Sequence, residues 1–545
     1  MPPTFPLDLK PYFAAGLRTD RENSINEPGL TNCLNLKPYT DGLRPIANLA
    51  NPFSINFPPQ DVEFPFPQVF KGKEGMFLLD KTTIYSVDEG FDITALLTYD
   101  ANNLGAELAI VAGGAWHFID MQNAWIFFNG NSIVFKDNLT FWGEQKIKVV
   151  NNISIATGCE FRGRLVTGGF LPGAVWKGVW KSIFDDYRDE IPAEFADLVF
   201  SVKENFVIWS TIGQSDMAFR WLLFPAEAQA GYTASSGFTG TETVIGPTEF
   251  ADYPPTPSAH TIDNTLLAQM IQRNEFGIQP MPVSGRPLNI KAIGGEVSGI
   301  KGATIVYGEE GITALIPHNI EGNPTFGVRH LLNVGIAGRG AVSGDDYSHV
   351  FVDTTGCVWK LSSELEIVPL GYEEYFEGST DWIVTHTASS REQEFFICNG
   401  EKGFTLTEQG LGQRSQLITS TISQAGKKYA VDINTAESEF FIETDSFDNK
   451  LSGIKVIKQI EISTNNATNI LVAVKYKYAE AQEYEQTNWY PLNERGVATI
   501  IIAGTEFRVI IKQIDNTKNN KFKEGIVSWQ TLDKRAVRGP DISSA

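Results

Sequence analysis

The chain has 545 residues, 42% of them hydrophobic and 12% aromatic, with 49 glycines and 27 prolines that add many turns. This length exceeds what one hydrophobic core usually supports, and the composition suits sandwich or propeller sheets, so we expect an all-β protein of two or more domains. The 65 acidic and 44 basic residues give a net charge of −21, which argues against a protein that holds nucleic acid by neutralising its phosphates.

Cysteine usage and hydropathy indicate a soluble chain that is not exported. The four cysteines are widely spaced and form no CxxC pair, so no disulfide framework is needed: Cys33, Cys159, Cys357 and Cys398. The N-terminal residues MPPTFPLDLKPYF lack a basic flank followed by an apolar run, and no run of about 18 apolar residues occurs. We expect no membrane insertion.

The first stretch, residues 1–70, is punctuated by proline and lacks a strong hydrophobic period. We interpret it as an extended N-terminal segment that packs on a neighbour. A loop-rich start of the first domain is the alternative.

From about residue 75 a hairpin pattern recurs, in which two short apolar strands flank a polar or glycine turn. It occurs at 76–87, 124–135, 303–315, 349–361 and 394–406. The turn glycines of the last three, Gly311, Gly356 and Gly403, are 45 and 47 residues apart. That spacing is typical of one four-stranded propeller blade. We therefore predict a β-propeller of roughly six blades over residues 71–415.

Apolar stretches that end in small residues precede several of these hairpins, at 108–114, 164–169, 290–295 and 334–340. Innermost propeller strands crowd around a central channel, where small side chains allow a close approach of the backbone. We interpret the stretches as innermost strands. Ordinary strand-ending glycines are the alternative.

Two insertions interrupt the period, at about 171–196 and 225–288. In the first, the spacing of five apolar residues predicts one face of a helix: Trp176, Val179, Trp180, Ile183 and Tyr187. The second begins with a Gly/Thr/Ser-rich run that is a candidate pore gate or inter-subunit loop, and we single out Thr233, Gly237, Thr239 and Thr241. A disordered surface loop is the alternative.

Residues 416–545 change to longer strands with clear alternation, which predicts a separate C-terminal antiparallel domain resembling a β-sandwich. One face is predicted to carry Ile470, Val472, Val474, Tyr476 and Tyr478. A second strand places four isoleucine and valine residues on one face, interrupted at Lys458: Ile454, Val456, Ile460 and Ile462.

Catalytic and metal-binding patterns are not found, so we expect no enzyme activity, no cofactor and no metal. The six histidines form no HExxH or HxH pair, and neither a G-x-S-x-G elbow nor a P-loop occurs. Adjacent carboxylates such as Asp345 and Asp346 are interpreted as a solvated acidic face. Five tryptophans are candidate sugar-stacking platforms, although packing between blades is the commoner role of such residues: Trp125, Trp209, Trp221, Trp359 and Trp382.

The segment from Asp353 to Trp359 resembles the aspartate-box hairpin of sialidase-like propellers, with one extra residue between Asp353 and Gly356. Such boxes are structural turns. The resemblance therefore favours a propeller and is silent on catalysis.

A wider resemblance covers about half of the chain. Residues 264–380, with LLAQMIQRNEFGIQPMPVSG, IVYGEEGITAL, GAVSGDDYSHVFVDTTGCVWKL and PLGYEEYF, resemble the tail hub or nozzle proteins of short-tailed bacteriophages. The opening GLRTDRENSINEPGLTNCLNLKPYTDGLRPI is similar to their N-terminal segment.

This resemblance implies a virion protein that is made in the host cytoplasm and assembles with itself, commonly as six copies, into a ring below the portal and adaptor. DNA would pass through the ring without specific binding. An acidic lumen would keep contacts with DNA phosphates transient. A propeller-type receptor- or glycan-binding virion protein is the alternative.

Overall fold

The computed structural model describes residues 4–18, 28–53, 68–72, 75–80, 83–97, 114–121, 124–130, 132–137, 147–151, 155–169, 176–177, 204–209, 224–225, 242–245, 277–297, 300–320, 323–387, 393–424, 427–432, 434, 439–449, 451, 453–479, 482–513 and 520–532. These residues form almost only β-structure, which confirms the predicted all-β class. Among them, no helix is long and apolar enough to cross a bilayer.

The N-terminal elements are β1 (Phe5–Asp8), α1 (Lys10–Ala15), β2 (Leu30–Leu34), β3 (Leu36–Tyr39) and β4 (Gly42–Pro45). Six groups of four antiparallel strands follow, each paired in chain order, and we name them units 1 to 6.

Unit 1 contains β5 (Gln68–Lys71), β6 (Met76–Leu79), β7 (Ile84–Val87) and β8 (Ile93–Leu97). Unit 2 contains β9 (His117–Met121), β10 (Ala124–Phe128), β11 (Ser132–Asp137) and β12 (Ile147–Asn151). Unit 3 contains β13 (Thr157–Phe161), β14 (Arg164–Gly168), β16 (Phe206–Trp209) and β19 (Gly277–Pro280). Three further strands lie between these in the chain: β15 (Trp176–Lys177), β17 (Phe224–Pro225) and β18 (Glu242–Ile245).

Unit 4 contains β20 (Pro287–Val297), β21 (Ile300–Gly308), β22 (Ile312–Ile320) and β23 (Asn323–Leu332). Unit 5 contains β24 (Val342–Gly344), β25 (Ser348–Val352), β26 (Val358–Ser362) and β27 (Ile367–Gly371), and α2 (Glu373–Phe376) follows it. Unit 6 contains β28 (Ile383–Thr387), β29 (Glu394–Cys398), β30 (Gly403–Thr407) and β31 (Gly410–Arg414). A hairpin of β32 (Ile418–Gln424) and β33 (Lys427–Asp432) comes next.

The five hairpins predicted from the sequence are confirmed, and each forms the second and third strands of its unit, in units 1, 2, 4, 5 and 6. Middle strands are covered on both faces, so nearly all their side chains are apolar. In β6 all four residues are buried, and Phe127 and Phe128 of β10 are both fully buried.

The glycine-ended stretches are only partly first strands. Residues 290–295 lie in β20, the first strand of unit 4, as predicted. Residues 164–169 instead form β14, the second strand of unit 3, and residues 334–340 form the loop that leads into β24. In the fourth stretch only Gly114 is described.

The N-terminal segment joins the last unit to the C-terminal strands. β2 lies between β31, which it meets in parallel at Leu34 and Gln413, and β34 (Phe440–Thr444), to which it is antiparallel at Cys33 and Ile442. The remaining C-terminal strands are β35 (Lys455–Thr464), β36 (Ile470–Lys477), β37 (Glu485–Gln486), β38 (Tyr490–Pro491), β39 (Val497–Gly504), β40 (Glu506–Gln513) and β41 (Phe522–Thr531). Unit 6, β2 and five of these strands, β34, β36, β37, β38 and β40, form one continuous ten-stranded sheet.

One hydrophobic cluster runs through the N-terminal segment, units 4 to 6 and the C-terminal strands, including Phe13, Tyr307, Phe351, Val472 and Trp529. The predicted domain boundaries at 70/71 and 415/416 stay predictions. The buried core is continuous across both of them.

The C-terminal alternation is confirmed in part in β36, where Ile470, Val472 and Val474 are fully buried. Tyr478, predicted on the same face, is 45% exposed, and Ala473 on the other face is fully buried. In β35 the predicted face is only partly right. Val456, Ile460 and Ile462 are buried as predicted, but the register shifts between Ile457 and Gln459 and forms a bulge at Lys458. The bulge reverses the alternation. Ile457 is therefore fully buried, whereas Ile454 is 41% exposed.

The insertions are described only in part. Trp176 lies in β15, paired with β17, and so does not belong to the predicted helix. The second insertion ends earlier than predicted, because residues 277–280 pair with β16 and complete unit 3. The candidate gate residues lie outside the described residues: Thr233, Gly237, Thr239 and Thr241.

Candidate functional site

The first strands of all six units and β32 border a single cavity of about 450 Å³. Its wall is formed by residues 68–70, 115–120, 158–160, 289–292, 339–340, 342–346, 383–386 and 419–421, together with His349. A cavity of this size can hold a small organic molecule.

Neighbouring first strands run side by side in the same direction. The Asn289 amide donates to the carbonyl of Arg339 at 2.8 Å, and farther along both strands Gly294 N donates to the carbonyl of Asp346 at 2.9 Å. Arg339 and Asp346 therefore lie towards opposite ends of the cavity.

Carboxylates are concentrated at the end of the cavity where the first strands finish. On three of these strands the last residues to line the wall are acidic: Asp120, Glu160 and the pair Asp345 and Asp346. Two of these carboxylates hold local turns, since Glu160 accepts from Gly163 N at 2.5 Å and Asp345 accepts from Ser348 N at 3.1 Å. Asp346 is exposed, as expected for a solvated acidic face.

Two cations also line the cavity. Lys291 projects from β20, and among the described residues its ammonium group has neither a hydrogen bond nor an ion pair. The guanidinium of Arg339 likewise has no carboxylate partner there. Burial lowers the pKa of Lys291, and burial together with Arg286 lowers the pKa of Arg339 to about 10.

Three of the six histidines converge on the cavity, and all three are held in the neutral form. Burial and the nearby Lys291 charge lower the pKa of His117 and of His349 to about 3, and that of His386 to about 4. His349 Nδ1 lies 2.8 Å from the hydroxyl of Tyr307. His386 Nδ1 lies 2.9 Å from the hydroxyl of Ser343.

The same wall contains polar atoms without partners. The side-chain oxygens Asn289 Oδ1 and Thr385 Oγ1 are buried and make no hydrogen bond. Buried polar groups are normally satisfied by protein, water or ligand. Phe70 and Phe118, whose ring centroids are 5.7 Å apart, add an apolar edge to the cavity.

Within the described part of the chain, no three side chains of His, Cys, Asp or Glu are placed to hold a metal ion. The four cysteines are free, and Cys33, Cys357 and Cys398 are buried. Cys159 lines the cavity, and burial raises the pKa of its thiol to about 12, so it is protonated and a poor nucleophile.

The turn at Asp353 is structural. Asp353 Oδ1 accepts from the backbone N–H groups of Thr355 and Cys357 at 2.8 and 2.9 Å, and Oδ2 accepts from the indole N–H of Trp359 at 2.7 Å. Gly356 has a φ of +90°, a conformation that glycine adopts without strain. Asp353 therefore holds a buried turn by hydrogen bonds, and this turn lies outside the cavity.

The tryptophans singled out from the sequence do not form a sugar platform in the described residues. Trp125, Trp209 and Trp382 are each at most 5% exposed and pack in hydrophobic cores. Trp359 donates a hydrogen bond from its indole N–H to Asp353. Trp221 lies outside the described residues.

No family model and no curated protein matches the chain. Solved structures that are similar in part include the computationally designed Ika8 protein, with a TM-score of 0.29, 9% identity and coverage of 70% of this chain and 83% of that one. AztD from Citrobacter koseri has a TM-score of 0.27, 10% identity and coverage of 68% and 90%. An exo-beta-1,3-galactanase from Phanerochaete chrysosporium has a TM-score of 0.22, 9% identity and coverage of 85% and 95%. These TM-scores are too low to carry an argument about fold or function.

Sequence reasoning missed the cavity residues because they come from separate strands. His117, Lys291, Arg339, His349 and His386 are spread over 270 positions and form no motif. One signal was present in the sequence: Lys291 interrupts one of the glycine-ended stretches interpreted as innermost strands.

Proposed function

We propose that the six units are the blades of a β-propeller and that the β32–β33 hairpin closes the ring between the last blade and the first. The first strands border one cavity, as innermost propeller strands do. The closure is supported by Val69 N of β5, which donates to Ser420 Oγ of β32 at 3.0 Å. Val69 and Ile422 also share one hydrophobic cluster.

We further propose that the chain is a structural component of a bacteriophage tail. Six copies would form a nozzle or hub ring below the portal and adaptor, through which DNA is retained and ejected. The observation that carries this proposal is the sequence resemblance over residues 264–380 and the N-terminal segment. The described parts of these two regions include β19 of unit 3, units 4 and 5, and strand β2, which joins unit 6 to the C-terminal strands.

The N-terminal segment connects the units to the C-terminal strands, which is consistent with a structural subunit. Arg18 donates to Glu374 of α2 at 3.2 Å and to Asp445 of the C-terminal region at 3.0 Å. Asp445 is only 5% exposed. Together with the inserted strand β2, this ion-pair cluster ties the units to the C-terminal strands.

Electron microscopy of the purified chain, and of virions that contain it, tests the assembly. We expect six-fold rings, and in virions a ring at the tail below the portal. A chain that remains monomeric at all concentrations and is missing from tails would refute the proposal. A lumen lined mainly by Lys and Arg would contradict the accompanying hypothesis that DNA slides past an acidic surface.

A propeller-type receptor- or glycan-binding virion protein is the second candidate, and the partly apolar cavity with unsatisfied polar atoms favours it. Glycan-array binding by the isolated protein would support this candidate, whereas the tail ring requires no such binding.

A further inference from the structure

We propose that the central cavity is a binding site for a small hydroxylated anion, in which Lys291 and Arg339 hold a carboxylate or phosphate group. A monosaccharide that carries an acidic group is the simplest ligand of this class. This site is independent of any ring assembly, since every residue that forms it belongs to one chain.

The first argument is the missing partner of Lys291. Lys291 is half-buried, and burial lowers the pKa of its ammonium group, so its charge is less well solvated than a fully exposed one. A charge in such a place is stabilised by a counter-charge. Four carboxylates line the same cavity, but they lie at the end where the first strands finish, and none is within ion-pair distance of Lys291. A ligand anion would supply the partner that the described wall does not.

The second argument is the chemistry around the two cations. Neutral imidazoles at His117 and His386 can each donate or accept a hydrogen bond. Asn289 Oδ1 and Thr385 Oγ1 are unsatisfied acceptors on the same wall. Hydroxyl groups of a ligand can satisfy all of these groups, as well as the carboxylates at the far end.

The third argument is shape. The cavity volume of about 450 Å³ exceeds the needs of a simple ion and suits a ring-sized molecule. The aromatic edge formed by Phe70 and Phe118 gives the apolar face of a sugar ring a surface to pack against. A divalent cation is not supported, because no metal-ligand set occurs in the described residues.

Isothermal titration calorimetry of the full chain with glucuronate, glucose 6-phosphate and glucose tests the proposal. We expect an acidic sugar to bind at least about tenfold more tightly than glucose, because a hydrogen bond to a charged group is stronger than one between neutral groups. Binding of glucuronate alone would identify a carboxylate as the recognised group, and binding of glucose 6-phosphate alone a phosphate. No binding of either acid at about 10 mM, a very weak affinity, would overturn the proposal.

The variant Lys291→Met retains the length of the side chain and removes its charge. We expect it to bind the acidic sugar at least about tenfold more weakly. Lys360→Met, on β26 outside the cavity, is the matched control and should bind as the wild type does. Equal binding by wild type and Lys291→Met would overturn the proposal.

Proton uptake provides a readout that a purely structural lysine would not change. An anion beside Lys291 stabilises its charged form and reverses the effect of burial on its pKa. Titrations at an alkaline pH where the free protein holds Lys291 partly deprotonated, in two buffers of different ionisation enthalpy, should show net proton uptake by the wild type and less by Lys291→Met. Identical proton uptake in both proteins would contradict the assignment of Lys291.

Discussion

Replacing His349 by Gln should make the protein less sensitive to acid. His349 is 1% exposed, and it faces Tyr307 of β21, Lys291 of β20, Asp345 beside β24 and His386 of β28. Burial and the positive charge of Lys291 lower the pKa of His349 from 6.5 to about 3. The folded protein therefore keeps this ring neutral at a pH where the unfolded chain protonates it.

The sign follows from proton binding. Between pH 6.5 and 3 the unfolded chain holds more protons at this position, so the free energy of unfolding falls as the pH is lowered. At pH 4.5, about two units below the unfolded pKa, the loss from His349 alone is roughly 2–3 kcal/mol. Gln cannot titrate, but it can still hydrogen-bond to the hydroxyl of Tyr307.

Urea unfolding at pH 7.0 and pH 4.5, followed by tryptophan fluorescence, measures the effect. The wild type should lose roughly 2–3 kcal/mol more than His349→Gln between the two pH values. His318→Gln, at an exposed position of β22, is the control and should behave as the wild type. Equal losses for the wild type and His349→Gln would refute the account of a neutral, buried imidazole.

Three further substitutions test the structural contacts by urea unfolding. Asp353→Ala should lower the free energy of unfolding by about 2–4 kcal/mol, because it leaves two backbone N–H groups and an indole N–H without an acceptor. A decrease below about 1 kcal/mol would contradict the role of Asp353 in holding this turn. Gly42→Ala should lower the free energy of unfolding by at least about 2 kcal/mol, because φ is +126° and a Cβ would lie 2.0 Å from the carbonyl oxygen of Phe522. An unchanged free energy of unfolding would show that β4 does not need to lie so close to the backbone of Phe522. Arg18→Met should lower the free energy of unfolding by about 1–3 kcal/mol, because buried Asp445 loses its cation. Arg44→Met removes an exposed ion pair with Asp41, three residues earlier in the chain, and should lower it by less than about 1 kcal/mol.

Local pairing could be predicted from the sequence and non-local pairing could not. The hairpin at 76–87 joins strands that are neighbours in the chain, so an apolar run, a turn and a second apolar run are sufficient to identify it. The insertion of β2 places Leu34 beside Gln413, and no periodic pattern specifies a partner so far along the chain. The bulge at Lys458 was visible only as an interruption, and its effect on the buried face depended on register.

The candidate cavity could not be predicted either, because its residues are far apart in the chain. Its wall takes three or four residues from each of seven strands, and each of these short stretches mixes polar and apolar side chains. An isolated histidine such as His117 or His386 carries no spacing signal. Only the arrangement of the first strands around one centre brings these rings near Lys291.

The acid sensitivity and the proposed anion site depend on the same electrostatic field, so they should be linked. An anion beside Lys291 would offset the positive charge that helps to keep His117, His349 and His386 neutral, and their pKa values would rise towards 6.5. The folded protein would then accept protons at a pH where it now resists them, and the stability lost below pH 6.5 would shrink. Saturating glucuronate, or glucose 6-phosphate if that is the acid bound, should therefore stabilise the wild type more at pH 5 than at pH 7, and this difference should be smaller in Lys291→Met. Stabilisation by the bound acid that is independent of pH would mean that it binds away from the histidines.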